Sequence, residues 1–200
     1  MQDAIVGSWT QESHLSAEMR ASLRGLNHRF LDLVASADAG RSTGLAGQLS
    51  PLTAAQRAAA AACPYALFNV RFEDDVHWRM RLQNAAPWRV EDESVIDDAA
   101  AKFVRLALFF AWHAATSTGL AAQLLLGMNG STVAAWRRLT VGSLPALVAT
   151  EAPYLRPRWS ECGAYWSALT GAACREDPTA LRRVQLYGLQ LAAAARLPKS

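Results

Sequence analysis

Apolar positions recur along most of this chain with the three- and four-residue steps that predict α-helices. The clearest case is the segment 15–36, whose apolar side chains share one helical face, at positions 15, 19, 23, 26, 30, 31 and 34. A second helix is predicted over 95–116, where apolar side chains cover most of the circumference, as in the middle of a bundle. The same patterns predict further helices at 51–63, 118–127, 131–140 and 143–150, and from 177 to about 198.

Turn and capping residues set several of the expected boundaries. Thr53 and Gln56 have the spacing of a capping box at the start of the alanine-rich helix. The segment 38–49 contains three glycines and is predicted to be a flexible loop. Between 65 and 82 alternate residues are apolar, which fits a short β-hairpin or two short helical turns.

These patterns together predict an all-α protein. We expect a compact bundle of about seven helices, with one possible short hairpin near 65–82, folded as a single domain over residues 1–200. Hydrophobic residues make up 52% of the chain and charged residues 18%, which excludes a disordered protein and argues against a coiled-coil rod. Alanine and arginine are abundant, a bias typical of GC-rich bacterial genomes.

The sequence contains none of the common catalytic motifs. It lacks a nucleophile elbow, a zinc-protease HExxH, a phosphate-binding loop and a dinucleotide-binding glycine pattern. The three cysteines have no metal-binding spacing, so no metal and no cofactor is expected, and an enzyme is the least supported class. With no signal peptide and no apolar run of membrane-spanning length, the chain is predicted to be cytoplasmic, without membrane association.

One segment carries a binding motif. Residues 121–139 read AAQLLLGMNGSTVAAWRRL, in which Gly127 separates two helical patterns. Val133 and Trp136 are spaced so that both face the first of these helices. The segment resembles the helix-turn-helix of bacterial DNA-binding proteins, over about 20 of the 200 residues. Gln123 departs from that motif, which usually has a small residue four positions before the turn glycine.

The resemblance implies a DNA-binding or transcription-associated regulator that recognises double-stranded DNA. The outward residues of the second helix would be Ser131, Thr132, Ala135 and Arg138, with Arg137 beside the DNA backbone. Hydroxyl groups at these positions can bond phosphates or base edges, and the arginines can neutralise phosphates. A homodimer is expected, because one short helix reads few bases. A purely structural turn inside a helical bundle remains the alternative.

Two other functions stay open. A protein-interaction or adaptor domain without enzymatic activity would use Arg156, Arg158, Trp159 and Trp166, since arginines beside exposed aromatic residues are typical of protein interfaces. A bundle that binds a small molecule or a metal would be centred on His113, a histidine in the most apolar predicted helix.

Overall fold

A computed structural model of the 200-residue chain describes residues 16–36, 44–83 and 98–195. Ten α-helices lie within these ranges. They are α1 (Ala17–Ser36), α2 (Gly44–Leu49), α3 (Ala54–Ala60), α4 (Asp75–Gln83), α5 (Ala99–Ser117), α6 (Gly119–Leu126), α7 (Gly130–Trp136), α8 (Leu144–Glu151), α9 (Gly163–Cys174) and α10 (Pro178–Ala194). Two short strands, β1 (Phe68–Asn69) and β2 (Arg156–Pro157), and two 3-10 turns, at 141–143 and 152–154, complete the described part.

The all-α prediction is therefore confirmed, and the expected number of helices was too low. The difference arises mainly from short helices. The segment 44–49, part of the predicted glycine-rich loop, forms α2, and the rest of that loop, 38–43, lies outside the described residues. The chain at 75–83, for which a strand was considered, forms α4.

Local side-chain bonds determine where several helices begin. The Ser16 hydroxyl accepts a hydrogen bond from the Met19 amide at the start of α1, at 3.1 Å. Thr53 and Gln56 form the predicted capping box, in which each side chain accepts from the other residue's amide. Asp177 accepts from two amides of α10. Each bond satisfies an amide that the first turn of a helix leaves without an intrahelical acceptor.

The core surrounds α5, which packs against α1, α6, α7 and α8. Phe103 on α5 meets Phe30 of α1 and Phe68 of β1, with ring centroids 5.7 and 5.0 Å apart. The outer face of α5 is exposed at Arg105, Leu106 and His113. The prediction of a central helix is thus correct, but the helix has a solvent-facing side that its apolar sequence did not indicate.

The possible hairpin near 65–82 does not form. The strand β1 pairs antiparallel with β2, almost ninety residues later, with Phe68 opposite Pro157. The partner expected at 76–82 is helical instead, because the Asp74 carboxylate accepts from the His77 amide and starts α4. Residues 65–70 are buried on both sides, so their alternation did not mark one inner and one outer face.

A buried asparagine holds this extended segment against α1. The Asn27 amide group donates to the carbonyls of Ala61 and Tyr65, and its side-chain oxygen accepts from the Leu67 amide.

None of the helices within the described ranges combines the length and apolar character needed to cross a bilayer.

Candidate nucleic-acid interface

The segment that resembles a helix-turn-helix forms two helices joined by a left-handed glycine. Gly127 ends α6 with φ near +80°, a conformation that favours glycine, and its amide donates to the Gln123 carbonyl. Asn129 then caps α7, since its side-chain oxygen accepts from the Thr132 amide at 2.8 Å. Together with α5, these helices form a three-helix unit in which each helix contacts the other two.

The inner face of α7 is as the motif requires. Val133 and Trp136 are buried, and the Trp136 ring packs edge-on against Trp78 of α4, with centroids 4.8 Å apart. Thr132 was expected to face outward, and this is wrong: it is only 1% exposed. The reason is that α4 packs along α7 and widens its buried face. Ala135 is half-buried on the same side.

Ser131 lies on the surface at the first turn of α7. Its hydroxyl is 2.7 Å from the Asn129 side-chain oxygen and 3.1 Å from the carboxylate of Asp75, on α4. A hydroxyl has one hydrogen to donate, so these two acceptors compete for it. The carboxylate of Asp75 also meets Arg79 at 3.5 Å. The Ser131 hydroxyl therefore lies on the surface between two acceptors of its own chain.

Arg137 is exposed but already has a structural bond. Its Nε donates to the carbonyl of Ala115 at 2.8 Å, in the last turn of α5. Cationic side chains stabilise helix C-termini, where the last carbonyls lack intrahelical donors. A β-carbon at Gly119 would lie only 3.4 Å from the Arg137 guanidinium. Arg137 thus fastens α7 to the end of α5.

Arg138 is exposed, and no described carboxylate lies within ion-pairing distance of it. Its side chain and that of Arg79 border a groove of about 360 Å³ between α7 and α4. We call this groove the arginine groove; it is lined by Arg79, Leu82, Ala135, Arg138 and Leu139. Arg79, whose side chain is 58% exposed, was not among the residues predicted from the sequence. Arg79 lines the groove because α4 packs against α7, and no local pattern in the sequence predicts that packing.

The four residues of the predicted adaptor surface do not form one exposed surface. Arg158 is 7% exposed and Trp166 3% exposed, and the Trp166 indole donates to the Arg158 carbonyl. Trp159 is half-buried, and Arg156 is exposed and paired with Glu73 at 3.2 Å. Arg158, just after β2, and Trp166, on α9, are buried against each other, which removes them from any exposed surface.

His113 lies on the exposed side of α5. Its Nδ1 is 3.3 Å from the Ser117 hydroxyl, one turn later on the same helix. It borders an open groove of about 400 Å³ beside α1, lined also by Arg29, Leu106 and Phe110. Within the described ranges no three histidine, cysteine or acidic side chains converge as metal ligands.

A cluster of polar side chains around the buried Glu151, at α4 and α8, was not predicted from the sequence. Glu151 is fully buried, and its carboxylate meets His77 at 2.8 Å and Arg81 at 3.2 Å. Arg71 approaches the other nitrogen of His77 at 3.5 Å and lies over the ring of Tyr154. The one indication of this cluster in the sequence was Glu151 itself, a single carboxylate at the end of an otherwise apolar helix. This cluster fastens α4, one wall of the arginine groove, to α8.

Comparisons with protein-family models, with curated proteins and with solved structures found no match to this chain.

Proposed function

We propose that this chain is a DNA-binding, transcription-associated regulator that contacts the DNA backbone through the arginine groove and the exposed face of α7. The observation that carries the proposal is the placement of Arg138 and Arg79 on either side of that groove. Both cations border the helix that follows the left-handed turn at Gly127. The proposal includes a cytoplasmic bacterial setting and a homodimer, because one seven-residue helix reaches few bases.

Two guanidinium groups that line one groove suit a phosphate backbone. Arginine presents planar, paired donors that match phosphate oxygens, and such contacts fix the orientation of a protein on a duplex. Ser131 adds a hydroxyl donor at the start of α7. The ion pair between Asp75 and Arg79 is solvent-exposed and stabilises by less than about 1 kcal/mol, so phosphate can replace it at small cost.

Because Thr132 is buried, it is removed from the set of residues that would contact DNA. On the exposed surface, Ser131 and Ala134 lie on α7, and Arg138 lies in the turn that follows it. Arg137 supports this face through the carbonyl of Ala115. Under this proposal Arg137 is a positioning residue, and Arg138 and Arg79 make the phosphate contacts.

The test is a fluorescence-anisotropy titration of a labelled, mixed-sequence duplex with the purified chain, at several salt concentrations between about 50 and 200 mM. We expect binding that weakens steeply with salt. Each phosphate contact contributes about 0.9 to the slope of log affinity against log salt, so Arg138→Ala and Arg79→Ala should each reduce that slope by about this amount. Arg20→Ala, at an exposed arginine on α1, is the matched control and should leave the slope unchanged.

Absence of binding at the lowest salt concentration would refute the proposal, because even nonspecific phosphate contacts are strong there. If Arg138→Ala and Arg20→Ala lost the same amount of duplex affinity, the duplex would be attracted by net charge rather than by the arginine groove.

A further inference from the structure

The open groove beside His113 continues along α1 into a larger one. The larger part, of about 660 Å³, lies between α1, α3 and the first half of α5. Arg29 and Leu106 line both parts, so the two parts form one groove with these residues at its middle. We call it the α1–α5 groove. It shares no lining residue with the arginine groove.

Two antiparallel helices form the long walls of the α1–α5 groove. Ser22 of α1 and His113 of α5 line the smaller part, whereas Ser36 and Ala99 line the larger part. Along each helix the lining residues recur at three- and four-residue steps, so each wall is one continuous stripe. Each stripe extends over 14 residue steps, from 22 to 36 and from 99 to 113. At 1.5 Å per residue the groove is about 21 Å long, which is the length of a four-turn helix.

The base of the groove is apolar. Phe103 and Phe110 of α5 lie there, almost buried, and Leu33 of α1 is half-buried. Leu106, at the middle, is 40% exposed. Beside it the groove is open, because a β-carbon at Gly25 would meet no atom within 4 Å. An exposed apolar surface with a polar rim is typical of a site that binds another molecule.

The rim of the groove carries more positive than negative charge. Arg29, Arg57 and Lys102 line it, together with one carboxylate, that of Asp32. Asp32 is paired with Arg57, whose Nε lies 2.6 Å from the carboxylate. Arg29 is exposed, and no carboxylate of the described residues lies within ion-pairing distance of it. The middle of the groove therefore combines an apolar base with a cation that has no counter-ion among those residues.

A straight apolar groove between two antiparallel helices fits a third helix, packed as in a bundle. We infer that the α1–α5 groove binds an amphipathic helix of a partner protein, with apolar residues on its inner face and acidic residues along its edge. The inner face packs on Leu106 and Phe110. An acidic residue at the edge pairs with Arg29, which would repel a basic helix.

The described helices of this chain do not have the required charge, so a second copy is a poor occupant. Apart from α5 itself, the helices with exposed large apolar side chains are α4, α6 and α10. The helix α6 has no charged residue, and α10 has two arginines and no acid. In α4 two arginines outnumber the single Asp75. The partner helix thus belongs to a different protein, and this inference does not rest on the proposed DNA-binding function.

The test is a fluorescence-anisotropy titration of the full chain against a labelled synthetic helix of about 14 residues. Leucines at three- and four-residue steps form one face of this peptide, and glutamates flank them. A covalent bridge between side chains on the opposite face keeps the free peptide helical. A second peptide has lysines in place of the glutamates. We expect the glutamate peptide to bind with a micromolar Kd, because the interface is small, and at least tenfold more tightly than the lysine peptide.

Two substitutions on α1 test whether the peptide lies in the groove. Gly25→Phe fills the open space and should weaken binding at least tenfold, whereas Gly25→Ala is the matched control and should bind as the original chain does. Arg29→Glu should reverse the preference, so that the lysine peptide binds more tightly. Arg24→Glu, at an exposed arginine of α1 outside the groove, should leave the glutamate peptide preferred.

Several results would overturn this inference. One is that neither peptide binds at millimolar concentration, and another is that both bind equally well. Unchanged affinity in Gly25→Phe would place the peptide outside the groove. If Gly25→Phe instead lowered the mass of the free chain in light scattering, a second copy would be the occupant. If duplex DNA displaced the peptide, the groove would belong to a nucleic-acid surface.

Discussion

Two glycine-to-alanine substitutions in helices should change the stability of this protein in opposite directions. Gly25 lies inside α1, where an added β-carbon would meet no atom within 4 Å. Alanine is favoured over glycine in a helix interior by about 1 kcal/mol, so Gly25→Ala should stabilise the chain by about that amount. Gly188, inside α10, is tightly packed: its β-carbon would lie 1.9 Å from the Tyr65 hydroxyl oxygen and 2.3 Å from the ring carbon that carries it.

Tyr65 has little room to move away from that β-carbon. Its side chain is fully buried, and its hydroxyl lies 3.2 Å from both the Tyr165 hydroxyl and the Gln185 carbonyl. Overpacking of a core costs about 1–3 kcal/mol, and each lost hydrogen bond costs about 1 kcal/mol. After subtraction of the helix-propensity gain, we expect Gly188→Ala to destabilise the chain by about 2–4 kcal/mol.

Urea unfolding, followed by circular dichroism and tryptophan fluorescence, measures both effects. The free energies of unfolding of the two variants should differ by about 3–5 kcal/mol, a large fraction of the stability of an ordinary domain. The m-values should match, so that a shift in midpoint reports stability. If Gly188→Ala were as stable as Gly25→Ala, the close packing of α10 on Tyr65 would be refuted.

Three further predictions concern single side chains. Glu151→Ala should lower the free energy of unfolding by about 3 kcal/mol, because it leaves His77 and Arg81 without their buried carboxylate, whereas the exposed Glu18→Ala should leave the urea midpoint unchanged. Arg137→Ala should cost about 1 kcal/mol in the same assay, through loss of its bond to the end of α5; an unchanged midpoint would contradict that structural role. Burial raises the pKa of the Cys63 thiol to about 11, so Cys63 should resist a thiol reagent at pH 8 until urea unfolds the chain, while the exposed Cys174 reacts at once; rapid modification of Cys63 in the native protein would contradict its burial.

The sequence revealed the features of this fold that depend on near neighbours. The buried stripe of α1 and the capping box of Thr53 and Gln56 are local patterns, and both were predicted correctly. So were the two helices on either side of Gly127. The pairing of β1 with β2 was missed because it joins segments almost ninety residues apart, and four alternating apolar residues gave no information about the partner.

The candidate site was only partly predictable for the same reason. Ser131 and Arg138 are exposed as the motif required, although α7 ends at Trp136 and Arg138 lies in the turn after it. Thr132 is buried and Arg79 joins the groove because α4 packs against α7, a contact between distant parts of the chain. Glu151 was the one signal within reach: a buried carboxylate at the end of an apolar helix needs polar partners, and His77 and Arg81 of α4 supply them.

The position of α7 in the bundle depends on contacts at both of its ends. At its beginning, Gly127 lies against the Arg158 guanidinium, which also bonds the last turn of α6. At its end, Arg137 bonds the last turn of α5. Because each arginine bonds the carboxyl end of a neighbouring helix, loss of either bond should weaken the attachment of α7 to the bundle.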